Sequence, residues 1–231
     1  NKYRFNLGLR FQEIVKKHGH RDALVYPNKK VISYTELNQL TIRLSNIFKL
    51  KGLQNGDTVL LSGDKSPEMF SAILACLQCG LVYSIYDPEG PTKRLERIVE
   101  VCQPQMILKS DDDLHPIEEK NGVIEFLNYT QLVLMASSAD EMTEISLEDV
   151  IGSQLAYIMF TSGSSGTPKG AMMTHSNVIS LIDWSLETFT FGPGEVLTNV
   201  NASYFDNFVF DFYSALFSGA SLVPFTRTDI M

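Results

Sequence analysis

Ten consecutive residues carry the densest chemistry in this chain: Thr161-Ser162-Gly163-Ser164-Ser165-Gly166-Thr167-Pro168-Lys169-Gly170. Three glycines, five hydroxyls and one lysine stand together. Glycine lets backbone N–H groups turn toward one point. Successive N–H groups of that kind form an electropositive nest for an anion. The hydroxyls add donors, and Lys169 adds a full charge on a long stem. Such a stretch suits a polyphosphate. A flexible linker is the plainer reading of a Gly/Ser run. A linker does not need Pro168-Lys169-Gly170, and it does not usually follow an apolar run such as Leu155 to Phe160, which reads as a buried strand. The G-x-x-x-x-G-K-[ST] spacing of a Walker loop is absent, since Lys169 precedes Gly170.

A second candidate lies downstream. Asp206 and Asp211 interrupt an apolar run containing Phe205, Phe208, Val209, Phe210 and Phe212. A carboxylate among aromatics is costly unless it meets a cation. Asp211 has a plainer reading, as a helix cap or a solvent-facing residue. Other reactive residues carry less. Cys76 and Cys79 make a C-x-x-C with no second pair, which reads as thiols buried on a helix. Asp111-Asp112-Asp113 and the lone His115 read as a solvated loop, with no metal site expected. His175 follows the glycine-rich loop, where capping, packing and catalysis are all open.

The stretch LAYIMFTSGSSGTPKGAMMTH resembles the phosphate-loop signature of the adenylate-forming superfamily: peptide-synthetase adenylation domains, acyl-CoA synthetases and luciferases. Ser165 stands where peptide synthetases more often carry threonine. ISYTELNQL and LQCGLVYSIYDPEGPTKRL resemble two architectural signatures of the same family, with Ile85 in place of a usual proline. Phe205-Asp206-x-x-Val209 resembles its F-D-x-S-V signature, with Phe208 in place of serine. The resemblance implies catalytic roles for Thr161 and Lys169. It implies phosphate contacts from Thr161, Ser162, Gly163, Ser164, Ser165, Gly166, Thr167, Lys169 and Gly170. It implies that Asp206 grips a substrate α-ammonium, with Phe205, Asn207 and Phe210 lining the substrate pocket. Fatty acyl-CoA synthetases usually lack this aspartate, so Asp206 separates amino acid from simple acyl substrates.

These residues need elements to hold them. Phe11, Ile14 and Val15 have helical spacing. ALVY (23–26) and VISY (31–34) flank Pro27-Asn28-Lys29-Lys30 as a hairpin. Leu37, Leu40, Leu44, Ile47 and Phe48 share one helix face, started by Ser33 or Thr35. A strand over 57–62 precedes Ser66-Pro67, a helix start with a capping hydroxyl and proline at the first position. Gly80 ends that helix and a strand over 81–86 follows. A helix over 91–102, a strand over 105–108, a helix over 176–189 and a strand over 195–200 complete the pattern. Alternation of this kind predicts an α/β fold with a largely parallel sheet flanked by helices. Two acidic stretches, 110–122 and 137–149, read as low in order. The second predicts a lobe-linking loop near 137–150, directly before the phosphate loop 161–170.

Composition sets outer bounds. The 231 residues are 44% hydrophobic, with Lys+Arg 19 against Asp+Glu 27 and a net charge of −8. No basic cluster points to nucleic acid. No apolar run has membrane-spanning length, and the first residues lack a signal-peptide core. Three cysteines without a framework pattern suit a reducing, cytoplasmic setting. The resemblance implies that residues 1–231 are the amino-terminal portion of one AMP-binding adenylation domain. It implies ATP with Mg2+, an amino acid substrate, and phosphopantetheine on a carrier protein as acceptor. The adenine- and ribose-binding signatures and a second catalytic lysine are expected further on. Two alternatives stay open: a freestanding carrier-protein or acyl-CoA type ligase, and a non-catalytic nucleotide-binding module.

Overall fold

The computed structural model describes residues 5–113, 115, 125–138, 150–161 and 168–230. The chain opens with α1 (Leu7–His18), capped by the Asn6 side chain, which accepts from the Leu9 N–H. Then come β1 (Asp22–Val25), β2 (Val31–Ser33) and α2 (Tyr34–Leu50). Ser33 and Glu36 form a reciprocal capping box at the start of α2, satisfying two N–H groups that would otherwise lack partners. Next are β3 (Thr58–Ser62) and α3 (Pro67–Cys79). The expected Ser66 cap and Pro67 at the first position are both present, and Gly80 ends α3 with a left-handed φ of 68°. There follow β4 (Val82–Tyr86), α4 (Thr92–Cys102), β5 (Met106–Lys109), β6 (Glu125–Asn128) and α5 (Tyr129–Ser138). The last part holds β7 (Leu155–Thr161), β8 (Lys169–Thr174), α6 (His175–Phe189), β9 (Val196–Asn199), α7 (Asp206–Leu216), β10 (Ser221–Pro224) and α8 (Arg227–Ile230).

The strands form two sheets, ordered β6-β5-β3-β4-β7-β8 and β2-β1-β10-β9. Pairing is parallel except in two hairpins, β1–β2 and β7–β8. In the larger sheet β3 leads through α3 to β4 on one side. The chain then returns through α4 to β5 on the other side of β3. The two helices accordingly cover opposite faces. Leu74 and Leu77 of α3 join the main core with Phe70, Phe208 and Phe212. Leu95, Ile98 and Cys102 of α4 pack on Leu60, Ile107 and Phe160.

Of the expected lobe-linking loop near 137–150, Ser137 and Ser138 end α5 and Val150 is buried. Residues 139–149 lie outside the described residues. Two expectations change. The acidic stretch after β5 is not simply solvated. Asp113 and His115 are buried, because the Asp113 carboxylate accepts from the Tyr86 hydroxyl and lies 2.7 Å from His115 Nδ1. The other ring nitrogen, Nε2, meets the Gly90 carbonyl at 2.8 Å. Finally, Lys169–Thr174 is a strand that the sequence reading did not anticipate.

Candidate functional site

The glycine-rich stretch joins the two strands of a hairpin. β7 runs parallel to β4, so its carboxyl end reaches the same sheet edge as the ends of β3, β4 and β5. β8 returns antiparallel, in register Thr161↔Lys169 and Phe160↔Gly170. Thr161 and Lys169 are therefore cross-strand partners at the last pair of the hairpin, and both are exposed. Directly opposed residues in an antiparallel pair present their side chains on the same face. Ser162, Gly163, Ser164, Ser165, Gly166 and Thr167 lie outside the described residues. Gly170 has a packing role: a Cβ there would stand 2.8 Å from Ile158 Cγ2 and 3.3 Å from the Phe160 ring.

The aspartates exchange the environments expected of them. Asp206 is exposed and opens α7, and its Oδ1 accepts from the Asn207 N–H at 2.9 Å. Placed in the first turn, its charge is favoured by the helix dipole. Its location therefore does not require a buried counter-cation. An aspartate heading a helical apolar run is an N-terminal signal, which was legible at Phe205-Asp206. Asp211, one turn further along α7, is the half-buried carboxylate. Burial pushes its pKa up, opposed by the Asn199 side chain, which donates to it at 3.0 Å, and by the charge of Lys65.

Asp206 nonetheless lies within electrostatic reach of β7. Tyr157 in that strand is buried, and its pKa is pushed up to about 12, first by burial and then by the Asp206 carboxylate. The Asp206 charge is thus felt in the strand that leads to Thr161. Asn207 and Phe205 are exposed beside it, and Phe205 packs on Tyr204 with ring centroids 4.8 Å apart. Phe210 projects into an aromatic group on the α6 side. Its ring lies 6.2 Å from Trp184, 5.8 Å from Phe189 and 6.3 Å from Phe191.

His175 is fully buried as the first residue of α6. Its Nδ1 accepts the Leu7 N–H at 3.2 Å, and burial lowers its pKa to about 4. It sits buried between α6 and the start of α1. Cys76 is buried, Cys79 partly so, and burial raises both thiols. Among the described residues no group of His, Cys, Asp and Glu is arranged to hold a metal, and no helix is long and apolar enough to cross a membrane.

A cavity of about 470 Å³ opens where the carboxyl ends of the two sheets meet, lined in part by Asp64, Lys65, Asp87, Ser110 and Tyr204. Arg227 closes one side, paired with Glu89, 3.3 Å from Asp87 and 2.8 Å from the Tyr204 hydroxyl. None of these residues is among the site residues expected from the sequence, although Asp87 and Glu89 lie in the signature LQCGLVYSIYDPEGPTKRL. Lys65 had a signal in retrospect, a cation between a buried strand and a proline-started helix.

The model of the AMP-binding enzyme family matches residues 11–230. The chain belongs to this family, within the adenylate-forming superfamily. Among its relatives, tyrocidine synthase 3 of Brevibacillus parabrevis is 28% identical over 215 residues, covering 92% of this chain and 3% of the relative. The L-proline--[L-prolyl-carrier protein] ligase of Pseudomonas fluorescens is 31% identical, covering 88% of this chain and 42% of the ligase. The chain thus spans less than half the length of either. In fold it is similar to the NpsA N-terminal subdomain of Klebsiella oxytoca, solved with 3-hydroxybenzoyl-AMSN, at a TM-score of 0.83 and 21% identity. That likeness covers 96% of this chain and 54% of NpsA's.

Proposed function

We propose that this chain is the amino-terminal portion of a domain that activates an amino acid as its adenylate. The carboxylate of the amino acid attacks the α-phosphate of ATP, giving aminoacyl-AMP and pyrophosphate. The acyl group then passes to the phosphopantetheine thiol of a carrier protein. Thr161 and Lys169, with the loop from Ser162 to Thr167, would hold the departing phosphates and offset their growing charge. Mg2+ would arrive with the nucleotide. Asp206 would take the substrate ammonium, with Phe205, Asn207 and Phe210 beside the side chain.

One observation carries the reading. The carboxylate suited to an ammonium lies within electrostatic reach of Tyr157, in the strand that ends in the paired Thr161 and Lys169. An amino acid and a triphosphate could be bound side by side there. The proline ligase supports a carrier protein as acceptor, since its name specifies one. The test is amino-acid-dependent ATP–pyrophosphate exchange by the protein that carries these residues, over a panel of amino acids and their des-amino acids. Exchange with amino acids is expected. Preference for des-amino acids would assign an acyl or aryl acid substrate instead, and nucleotide binding without exchange would leave a binding module.

A further inference from the structure

Lys65 stands at a junction that no step above uses. It follows β3 in the left-handed conformation, with φ 58°, and is only 5% exposed. Its Nζ donates to three backbone carbonyls of the other sheet: Asn199 at 2.8 Å, Val200 at 3.3 Å and Phe225 at 2.7 Å. An ammonium has three protons, so its donor capacity is fully used. Asn199 ends β9, and Val200 and Phe225 directly follow β9 and β10, whereas Lys65 continues from the sheet that contains β7. One side chain therefore ties the two sheets together at their carboxyl edge.

The tie continues into α7. Asn199 gives its backbone carbonyl to Lys65 and its side-chain N–H to Asp211 of α7. The loop that leads from Asn199 to Asp206 also runs close to β3. A Cβ at Gly63 would lie 2.3 Å from Ser203 Oγ, so a side chain there would force Ser203 to shift. Burial draws the pKa of Lys65 down to about 8, against the favourable charges of Asp211 and Asp229. The ammonium is thus held in place at a desolvation cost.

We infer that Lys65 is a positioning residue for substrate recognition: through Asn199 and Asp211 it fixes α7, and hence the Asp206 carboxylate, relative to the phosphate hairpin. The inference rests on the amino-acid reading of Asp206. Geometry of this kind matters because small misplacements of a binding group cost large factors in rate. An isosteric apolar residue at 65 would leave three carbonyls without their donor and free the start of α7 to shift.

The experiment uses ATP–pyrophosphate exchange with Lys65→Met, Asp211→Asn, Asp206→Ala and the Lys65→Met/Asp206→Ala double variant. Each is checked for a cooperative thermal transition. Lys65→Met is expected to raise KM for the amino acid about tenfold or more, with KM for ATP changed less than about twofold. The penalty should largely vanish for the des-amino acid and in the Asp206→Ala background, because coupled residues are non-additive. Asp211→Asn should show the same split more weakly, and it decides the matter if Lys65→Met does not fold. Equal losses with both acids, or additive losses in the double variant, would overturn positioning and leave Lys65 a purely structural tie. An Asp206→Ala variant that loses nothing would instead overturn the amino-acid reading itself.

Discussion

Lys169 and Asp206 are both exposed, so neither is required where it stands for packing. Each can be tested by removal with little risk to the fold. A charge-assisted hydrogen bond contributes roughly 1.5–3 kcal/mol. Lys169→Ala should therefore lower kcat/KM for ATP by about ten- to a hundredfold, with amino-acid binding in the absence of ATP nearly unchanged. Steady-state exchange kinetics and calorimetric titration would read the two quantities. Unaltered ATP kinetics would assign Lys169 to the hairpin alone. For Asp206→Ala, losing one partner of a charge pair that substrate binding desolvates costs about 2–5 kcal/mol. That corresponds to a loss of roughly thirtyfold to several thousandfold for the amino acid, and far less for its des-amino counterpart. The motif at Asp206 is legible in the sequence, but its burial is not. Proximity in sequence to phenylalanines does not bury Asp206: the start of α7 leaves it exposed and half-buries Asp211 one turn later.

The hairpin is where element-scale reading fell short. β7 was legible as an apolar run, yet Lys169-Gly170-Ala171-Met172-Met173-Thr174 has only one β-branched residue and two small ones. Its strand conformation comes from pairing with β7, a tertiary effect that local propensity does not record. Gly170 shows what the pairing requires. Its hydrogen atom occupies the space where a methyl group would press on Ile158 and Phe160. Overpacking of this kind costs about 1–3 kcal/mol. Gly170→Ala should lower Tm by several degrees, since each kcal/mol shifts a chain of this size by about 2–4 °C. It should also raise KM for ATP more than KM for the amino acid, because the strain falls at the base of the loop proposed to hold the phosphates. Differential scanning calorimetry and exchange kinetics check the two effects. A variant with unchanged Tm and ATP kinetics would show that the hairpin yields without consequence. Helices were read more securely. Ser33, Ser66-Pro67 and Gly80 each act within a few residues, and each has its expected role.

At the scale of the whole molecule, the division into two sheets could not be read locally. β1 pairs with β10 through Leu24↔Leu222, residues far apart in sequence. His175 is another long-range link. It begins α6 directly after the β7–β8 hairpin, donates its backbone N–H to Gln154, and accepts the Leu7 N–H on Nδ1. Protonating Nδ1 would remove that acceptor inside the core. The folded-state pKa is accordingly lowered from 6.5 to about 4 by burial. Between those values the unfolded chain binds a proton that the folded chain does not, so stability falls as pH falls from 6.5 toward 4. At about 1.4 kcal/mol per pH unit, the loss from this one group approaches about 3 kcal/mol by the bottom of that window. Replacing His175 by Asn keeps an acceptor for the Leu7 N–H and removes the titration. The variant starts from lower stability because the smaller side chain leaves a void, but its stability should fall less steeply with acid. Urea unfolding at intervals between pH 7 and pH 4 reads the slopes directly, and carboxylate titrations common to both proteins cancel in the difference. Parallel slopes would show that acid opens the fold elsewhere and that the link between α1 and α6 does not sense it.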